Sequence, residues 1–262
     1  QLFQKRVDKN PKEHVTRTQV GRFTLGLARE TGNADLYVKA EAELRKALAA
    51  NPKSSAAKTY LASALMAQHK FREALALAQA VYQNEPRSTQ ALATIGDAHL
   101  ELGQYDEAEQ VFRQLEKKIP VPVPEVLARL GRIAEFRGQT DQAIALLKRA
   151  LEEEQNSTRP VKEIAWYHVR LGELFFNSGQ IEPPGKHFEA ALKEKENDVP
   201  ALLGLGQVRA AQSRYKDAVA LYEEVVKQKP DFDLIGDLGT LHTLAGNEAK
   251  GKELEAKAVA LV

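Results

Sequence analysis

The side chains best suited to acid–base chemistry or metal binding are six histidines: His14, His69, His99, His168, His187 and His242. A helical zinc site brings two histidines to i and i+4 on one face with a carboxylate beside them. No two of these histidines have that spacing. His99 and His242 recur at one point of a repeating pattern and face an apolar stripe, which predicts packing rather than ligation. His14, His69 and His187 stand isolated. Cysteine is absent, which removes disulfides, thiolate zinc sites, iron–sulfur clusters and thiol nucleophiles together. Gly204-Leu205-Gly206 lacks the third glycine of a dinucleotide fingerprint and lies within a helical pattern. There is no phosphate-cradling glycine loop and no nucleophile elbow. Asn156-Ser157-Thr158 fits a glycosylation acceptor, but the chain offers no secretory context for it. The expectation is a non-catalytic chain with no cofactor and no metal.

Charge narrows the partners. Lys plus Arg number 37 and Asp plus Glu 36, a net charge of +1 over 262 residues. Nucleic-acid binders carry a basic excess or stripe, and neither is present, so nucleic acid is not expected. No apolar run nears the length needed to cross a bilayer, so no direct membrane insertion is expected. The opening Gln1-Leu2-Phe3-Gln4-Lys5-Arg6 lacks a signal peptide's apolar core. A soluble protein of cytoplasm or periplasm fits these features. Starting at Gln rather than Met, the chain reads as a piece of a longer protein.

The elements that position every other residue come from three ladders. Pro52, Pro86 and Pro120 are spaced by 34. Ala28, Ala62, Gly96, Gly131, Gly172, Gly206 and Gly239 follow one another at 34, 34, 35, 41, 34 and 33. Ala40, Ala74, Ala108, Ala143 and Ala218 each lie twelve residues after a partner in the second ladder. Small residues at matching points of two helices let the backbones approach, and large apolar residues fill the flanks. Leu92, Ile95, Gly96 and His99 share one helix face. Gly103 ends that helix and Asp106 is placed to cap the next, whose apolar face is Ala108, Val111, Phe112 and Leu115. One such pair cannot bury its stripe alone, but stacked neighbours can.

On these residues the chain resembles a tetratricopeptide repeat. Ala91 through Ala108 follows the repeat's pattern almost throughout, completed by Phe112 and Pro120. Leu202-Leu203-Gly204-Leu205-Gly206 with Tyr215, Ala218, Tyr222 and Pro230 is a second match. The resemblance implies an all-α, right-handed α-α superhelical solenoid of about seven helix pairs plus an N-terminal half-repeat, forming a single solenoid over 1–262. The half-repeat is 1–13, with Phe3 inward and Pro11 at its end. Repeats follow at 14–54 (regular from 21), 55–88, 89–122, 124–157, 158–198, 199–231 and 232–262. His168 takes a slot where this family often carries a large aromatic. The Ala-rich repeats look similar to those of bacterial members, so a bacterial source is expected.

Two intervals exceed the period by seven, Pro11 to Pro52 and Gly131 to Gly172. Seven residues are about two helical turns, so a first helix can lengthen and stay in phase. Capped by Ser157 or Thr158, with Pro160 in its first turn, the second excess predicts a helix over 160–177; a loop is the alternative. Pro120-Val121-Pro122-Val123-Pro124 reads as a stiff extended connector. Pro184 replaces a small alanine, predicting a second helix that starts late and packs loosely.

The resemblance also implies where a partner protein or peptide sits: first helices line a concave groove and present positions 2, 5, 9 and 12. The first repeat then offers Arg22 and Arg29. The fourth offers Glu125, Arg132 and Glu135, with Arg129 adjacent. The fifth offers Trp166, Glu173 and Phe176, with Arg170 and Asn177 adjacent. Arg and Trp are enriched at binding hot spots. Glu125 with Arg129 and Trp166 with Arg170, each four apart, also fit mutual pairing on a solvated face, worth about 0.2–0.5 kcal/mol. The family's carboxylate-clamp subgroup uses Lys and Asn in the groove, whereas Leu25, Thr59, Ala93, Ala128 and Val169 occupy the first clamp position here, so that clamp is absent. A scaffold for an extended or helical partner segment is the leading expectation. Self-association through uncapped ends and service as the regulatory arm of an enzyme remain alternatives.

Overall fold

The computed structural model describes residues 13–119, 123–158 and 162–261. Fourteen helices occur among them and no strand. They divide into two compact units, Gln1–Pro122 and Val123–Val262. In the first unit α1 (His14–Thr31) pairs with α2 (Ala34–Ala50), α3 (Ser55–Ala67) with α4 (Phe71–Asn84), and α5 (Thr89–Glu101) with α6 (Tyr105–Lys118). In the second, α7 (Pro124–Phe136) pairs with α8 (Thr140–Asn156), α9 (Ile164–Asn177) with α10 (Glu182–Glu194), α11 (Val199–Ala211) with α12 (Tyr215–Gln228), and α13 (Phe232–Leu244) with α14 (Glu248–Val259). The expected half-repeat, with Phe3 and Pro11, lies outside the described residues, as do Pro160 and most of the proline connector.

A regular pair shows how local chemistry sets these bounds. Ser88 caps α5, its hydroxyl accepting from the Ala91 amide at 3.2 Å. The chain then turns at Gly103, φ +74°, a left-handed conformation that stops the helix. Asp106 does not cap α6: the N-cap is Gln104, and Asp106 sits in the first turn with Glu107. Those acids, and Lys117 and Lys118 in the last turn, complement the helix dipole. Five other helices have side-chain caps, from Asn33, Ser54, Asp198, Asp231 and Asn247.

The ladders form the core. Ala28, Ala40, Ala74, Ala108, Ala143 and Ala218 are fully enclosed. The Phe112 ring lies against Gly96, where a Cβ would come within 2.5 Å of it. Phe188, 1% exposed, fills two such notches, one at Gly172 and one at Gly204. That packing corrects the expectation of a loose second helix after Pro184. α10 does begin late, at Glu182, but its Phe188 and Ala191 are enclosed.

The two long repeats absorb their extra residues differently from expectation. α1 and α2 have 18 and 17 residues against 13 and 14 in α5 and α6. In the later repeat α8 lengthens to 17 residues, while α9 starts only at Ile164 rather than 160. Neither Ser157 nor Thr158 caps it. The buried Glu154 carboxylate accepts from the Glu163 amide at 2.9 Å, and Lys162 Nζ donates to the Gln155 carbonyl at 2.8 Å. These bonds fasten the end of α8 to the start of α9, so the insert is divided between helix and connector.

Candidate functional site

In each unit the odd-numbered helices carry the residues expected to meet a partner. Within the first unit α1 contacts α3 and α3 contacts α5; within the second, α9 contacts α11. Their apolar stripes turn inward, leaving positions such as Arg22, Arg29, Arg132 and Trp166 exposed.

In the second unit Arg170 makes two ion pairs. Its guanidinium pairs with Glu173 one turn along α9 and with Glu135 of α7 at 2.7 Å. It therefore joins two successive first helices rather than stacking beneath Trp166. Arg129 donates to the Glu125 main-chain carbonyl at 3.1 Å. Arg132 lies over the Phe136 ring, 5.2 Å from its centre. Trp166, 46% exposed, meets Tyr167 edge-on at 5.0 Å, and Tyr167 is itself buried and holds the indole's base. Asn177 ends α9 in an exposed position. Trp166 and Phe136 thus present large apolar surface beside a fixed ionic network.

The first unit gathers the other two expected residues. Arg22 and Arg29 line one open concavity of about 310 Å³, together with Tyr60 and Ser63 of α3 and Gln90 of α5. Arg22 is held over the Phe23 ring at 4.4 Å, and its Nε donates to Gln19 at 2.9 Å. Tyr60, Ser63 and Gln90 were missed in the sequence. The signal was available for two of them, since Gln90 and Ser63 occupy positions 2 and 9 of their repeats, where Arg22 and Arg29 sit in theirs.

Two of the histidines expected to stand isolated are engaged. His187 is not isolated: its Nδ1 lies 3.0 Å from Nδ1 of His168, and its ring stacks on Phe175. Burial, then the neighbouring His168 and Lys148, push the His187 imidazole down to about 4. Burial also lowers His168, against the opposing pull of Glu194. One neutral ring must donate and the other accept. No group of three or more metal-binding side chains occurs among the described residues. His14 is engaged too, its Nε2 lying 3.1 Å from the Asn51 amide nitrogen. His242 is buried, whereas His99 is half-buried and bonded to Gln104 at 2.7 Å.

One polar cluster is structural. Glu41, buried on α2, accepts from Arg45, Gln68 and Lys70, each at 2.8 Å. Burial alone would raise its carboxyl, but bonds from Lys70, Arg45 and Gln68 outweigh burial and hold it below the usual range. The cluster joins α2 to the turn between α3 and α4.

Family models described as "Tetratricopeptide repeat" match residues 65–133, 126–160 and 186–231. Superkiller protein 3 of Schizosaccharomyces pombe is 30% identical over 84 residues, 32% of this chain and 6% of that protein. Anaphase-promoting complex subunit 7 of Arabidopsis thaliana is 25% identical over 148 residues, 56% of this chain and 25% of that protein. The chain therefore spans a quarter or less of these relatives' length. They come from a yeast and a plant and lend no support to the expected bacterial source. Among solved structures, a chain of the APC/C hetero-tetramer Cut9–Hcn1 aligns with a TM-score of 0.70 at 16% identity, covering 98% of this chain and 45% of that one.

Proposed function

The chain is a tetratricopeptide-repeat protein, and on that premise we propose that it is a non-catalytic scaffold whose first-helix faces hold an extended or helical segment of a partner protein. The observation that carries this reading is the composition of those faces in the second unit. An exposed Trp166 and Phe136 stand beside Arg132, Arg129 and the Arg170–Glu135–Glu173 network, with Asn177 at the helix end. A rigid, half-supported aromatic next to fixed charges is the usual makeup of a hot spot. The relatives add support, since one is a subunit of the anaphase-promoting complex.

Selection of binders from a displayed peptide library against the whole chain tests the reading. Reversal of Arg129, Arg132 and Arg170 to Glu should weaken the selected binders by at least about tenfold, the loss of one or two charge-assisted bonds. Unchanged affinity removes the site from this face, and a library yielding no binder removes the scaffold reading itself.

Self-association is a second reading, favoured by the exposed Leu244, Val259 and Leu261 on and after α13 and α14. Light scattering that returns one monomer mass at all concentrations excludes it.

A further inference from the structure

We infer that the concavity of the first unit is a docking site for an extended acidic peptide, with Arg22 and Arg29 each taking one carboxylate side chain. The inference rests on the scaffold reading and names the partner chemistry for a face which that reading's own test leaves untouched.

Three observations carry it. Arg22 and Arg29 lie on the same helix, seven residues apart, and both line the concavity. None of the described residues that line it carries a carboxylate. Arg22 is positioned by neutral partners, Gln19 and the Phe23 ring, so its charge stays uncompensated while its direction is fixed. By contrast Arg17, Arg45, Arg113 and Arg170 are each tied to glutamates.

The spacing selects the shape of the ligand. Residues seven apart on an α-helix are separated by about 10.5 Å along its axis. A polyproline-II segment places residues i and i+3 on one side, about 9 Å apart. Acidic residues at i and i+3 of such a segment therefore meet the two guanidinium groups. Tyr60, Ser63 and Gln90 below them supply hydroxyl and amide groups for the intervening backbone, and exposed Phe23 supplies an apolar rim. Two cations are few for a nucleic-acid backbone, whose affinity comes from many phosphate contacts.

Gly26 provides a built-in control. It lines the concavity, and a Cβ added there meets nothing within 4 Å. A side chain at this position therefore fills the site without pressing on the core, and replacing a helical glycine favours the helix.

The experiment uses the full chain and a labelled peptide, Gly-Ser-Glu-Pro-Pro-Glu-Ser-Gly, followed by fluorescence anisotropy. Its Lys-Pro-Pro-Lys counterpart and a short oligo-dT are the comparison ligands. The acidic peptide should bind at least about tenfold tighter than the lysine peptide, with affinity falling as salt rises. Arg22→Glu, Arg29→Glu and Gly26→Gln should each weaken it by about fivefold or more, with the circular-dichroism spectrum unchanged. Equal binding of the two peptides, indifference to all three substitutions, or tighter binding of oligo-dT would overturn the inference. Neutral or basic library binders that respond to the second-unit reversals would leave the scaffold reading standing while this one fell.

Discussion

His168 and His187 share a contact that needs at least one neutral ring, and this gives the protein a titration of its own. With both rings protonated, Nδ1 would face Nδ1 as two donors 3.0 Å apart. Burial, His168 and Lys148 hold His187 down to about 4, below the ordinary value of 6.5. As pH falls through that interval the unfolded chain takes up protons that the folded one refuses, so stability drops from about pH 6.5 to about pH 4 and is flat above. The loss should be on the order of 2 kcal/mol in urea unfolding between pH 7 and pH 4.5, after allowance for partial solvent screening. His187→Leu should shrink that slope, and an unaltered pH profile in the variant would show that the pair is not its source. Glu41 works in the opposite chemical sense: its carboxyl is held below the usual range, so its contribution is present at neutral pH and fades as pH falls through the folded value. Neither network was legible in the sequence. His168 and His187 are 19 residues apart on different helices, and Glu41 draws on groups 27 and 29 residues away. Such pairings depend on how helices are rotated against each other, and a spacing rule for one helix carries no such information. Arg22 and Arg29 could be found because both belong to one helix and its period alone places them on one face.

Helices and their contacts were read more fully, since each close approach demands a small residue at a fixed interval. Gly204 makes the point quantitatively. Its missing Cβ leaves the space that Phe188 occupies from the neighbouring helix, and Gly172 leaves the other half. Gly204→Ala should therefore destabilise by about 1–3 kcal/mol through overpacking, despite alanine's better helix propensity. Adding Phe188→Leu should recover at least about 1 kcal/mol of the summed cost. Strict additivity in that double-mutant cycle would mean the two residues do not interact. The turns between paired helices carry the opposite device, a left-handed residue, which is glycine at most of them but His69 and Ser213, both at φ 59°, in two. Those side chains cost stability there, so Ser213→Gly should raise the unfolding free energy by about 0.5–1 kcal/mol. A lower midpoint in denaturant would contradict the backbone argument. What the period could not assign was the insert between Gly131 and Gly172. A seven-residue excess keeps phase in either flanking helix, and the choice was made by Glu154, whose carboxylate binds the Glu163 amide.

Within each unit contacts stay local: each helix packs on its neighbours in sequence, and α1 on α3, α3 on α5 and α9 on α11 as well. Separate apolar clusters follow from this, one over α1 to α4, others over α7 to α9, α9 to α11 and α11 to α14. In such an architecture stability is close to a sum of local terms and nearest-neighbour couplings, so damage should remain near its origin. Leu61, 2% exposed in the first cluster, is a suitable place to cause it. Leu61→Ala removes about 2–5 kcal/mol by transfer and cavity terms. Hydrogen exchange should then quicken across α1 to α4 while the amides of α11 to α14 keep their protection. Equal acceleration throughout would mean one cooperative unit, and would require couplings that the pattern of neighbour contacts does not supply. The same locality bears on function, because a face assembled from successive first helices can bind a segment through a few repeats while the remainder keeps its own stability. Charge reversal at Arg22 or Arg29 should accordingly leave the thermal midpoint within about 1–2 °C, the range of ordinary surface substitutions, even where it abolishes binding.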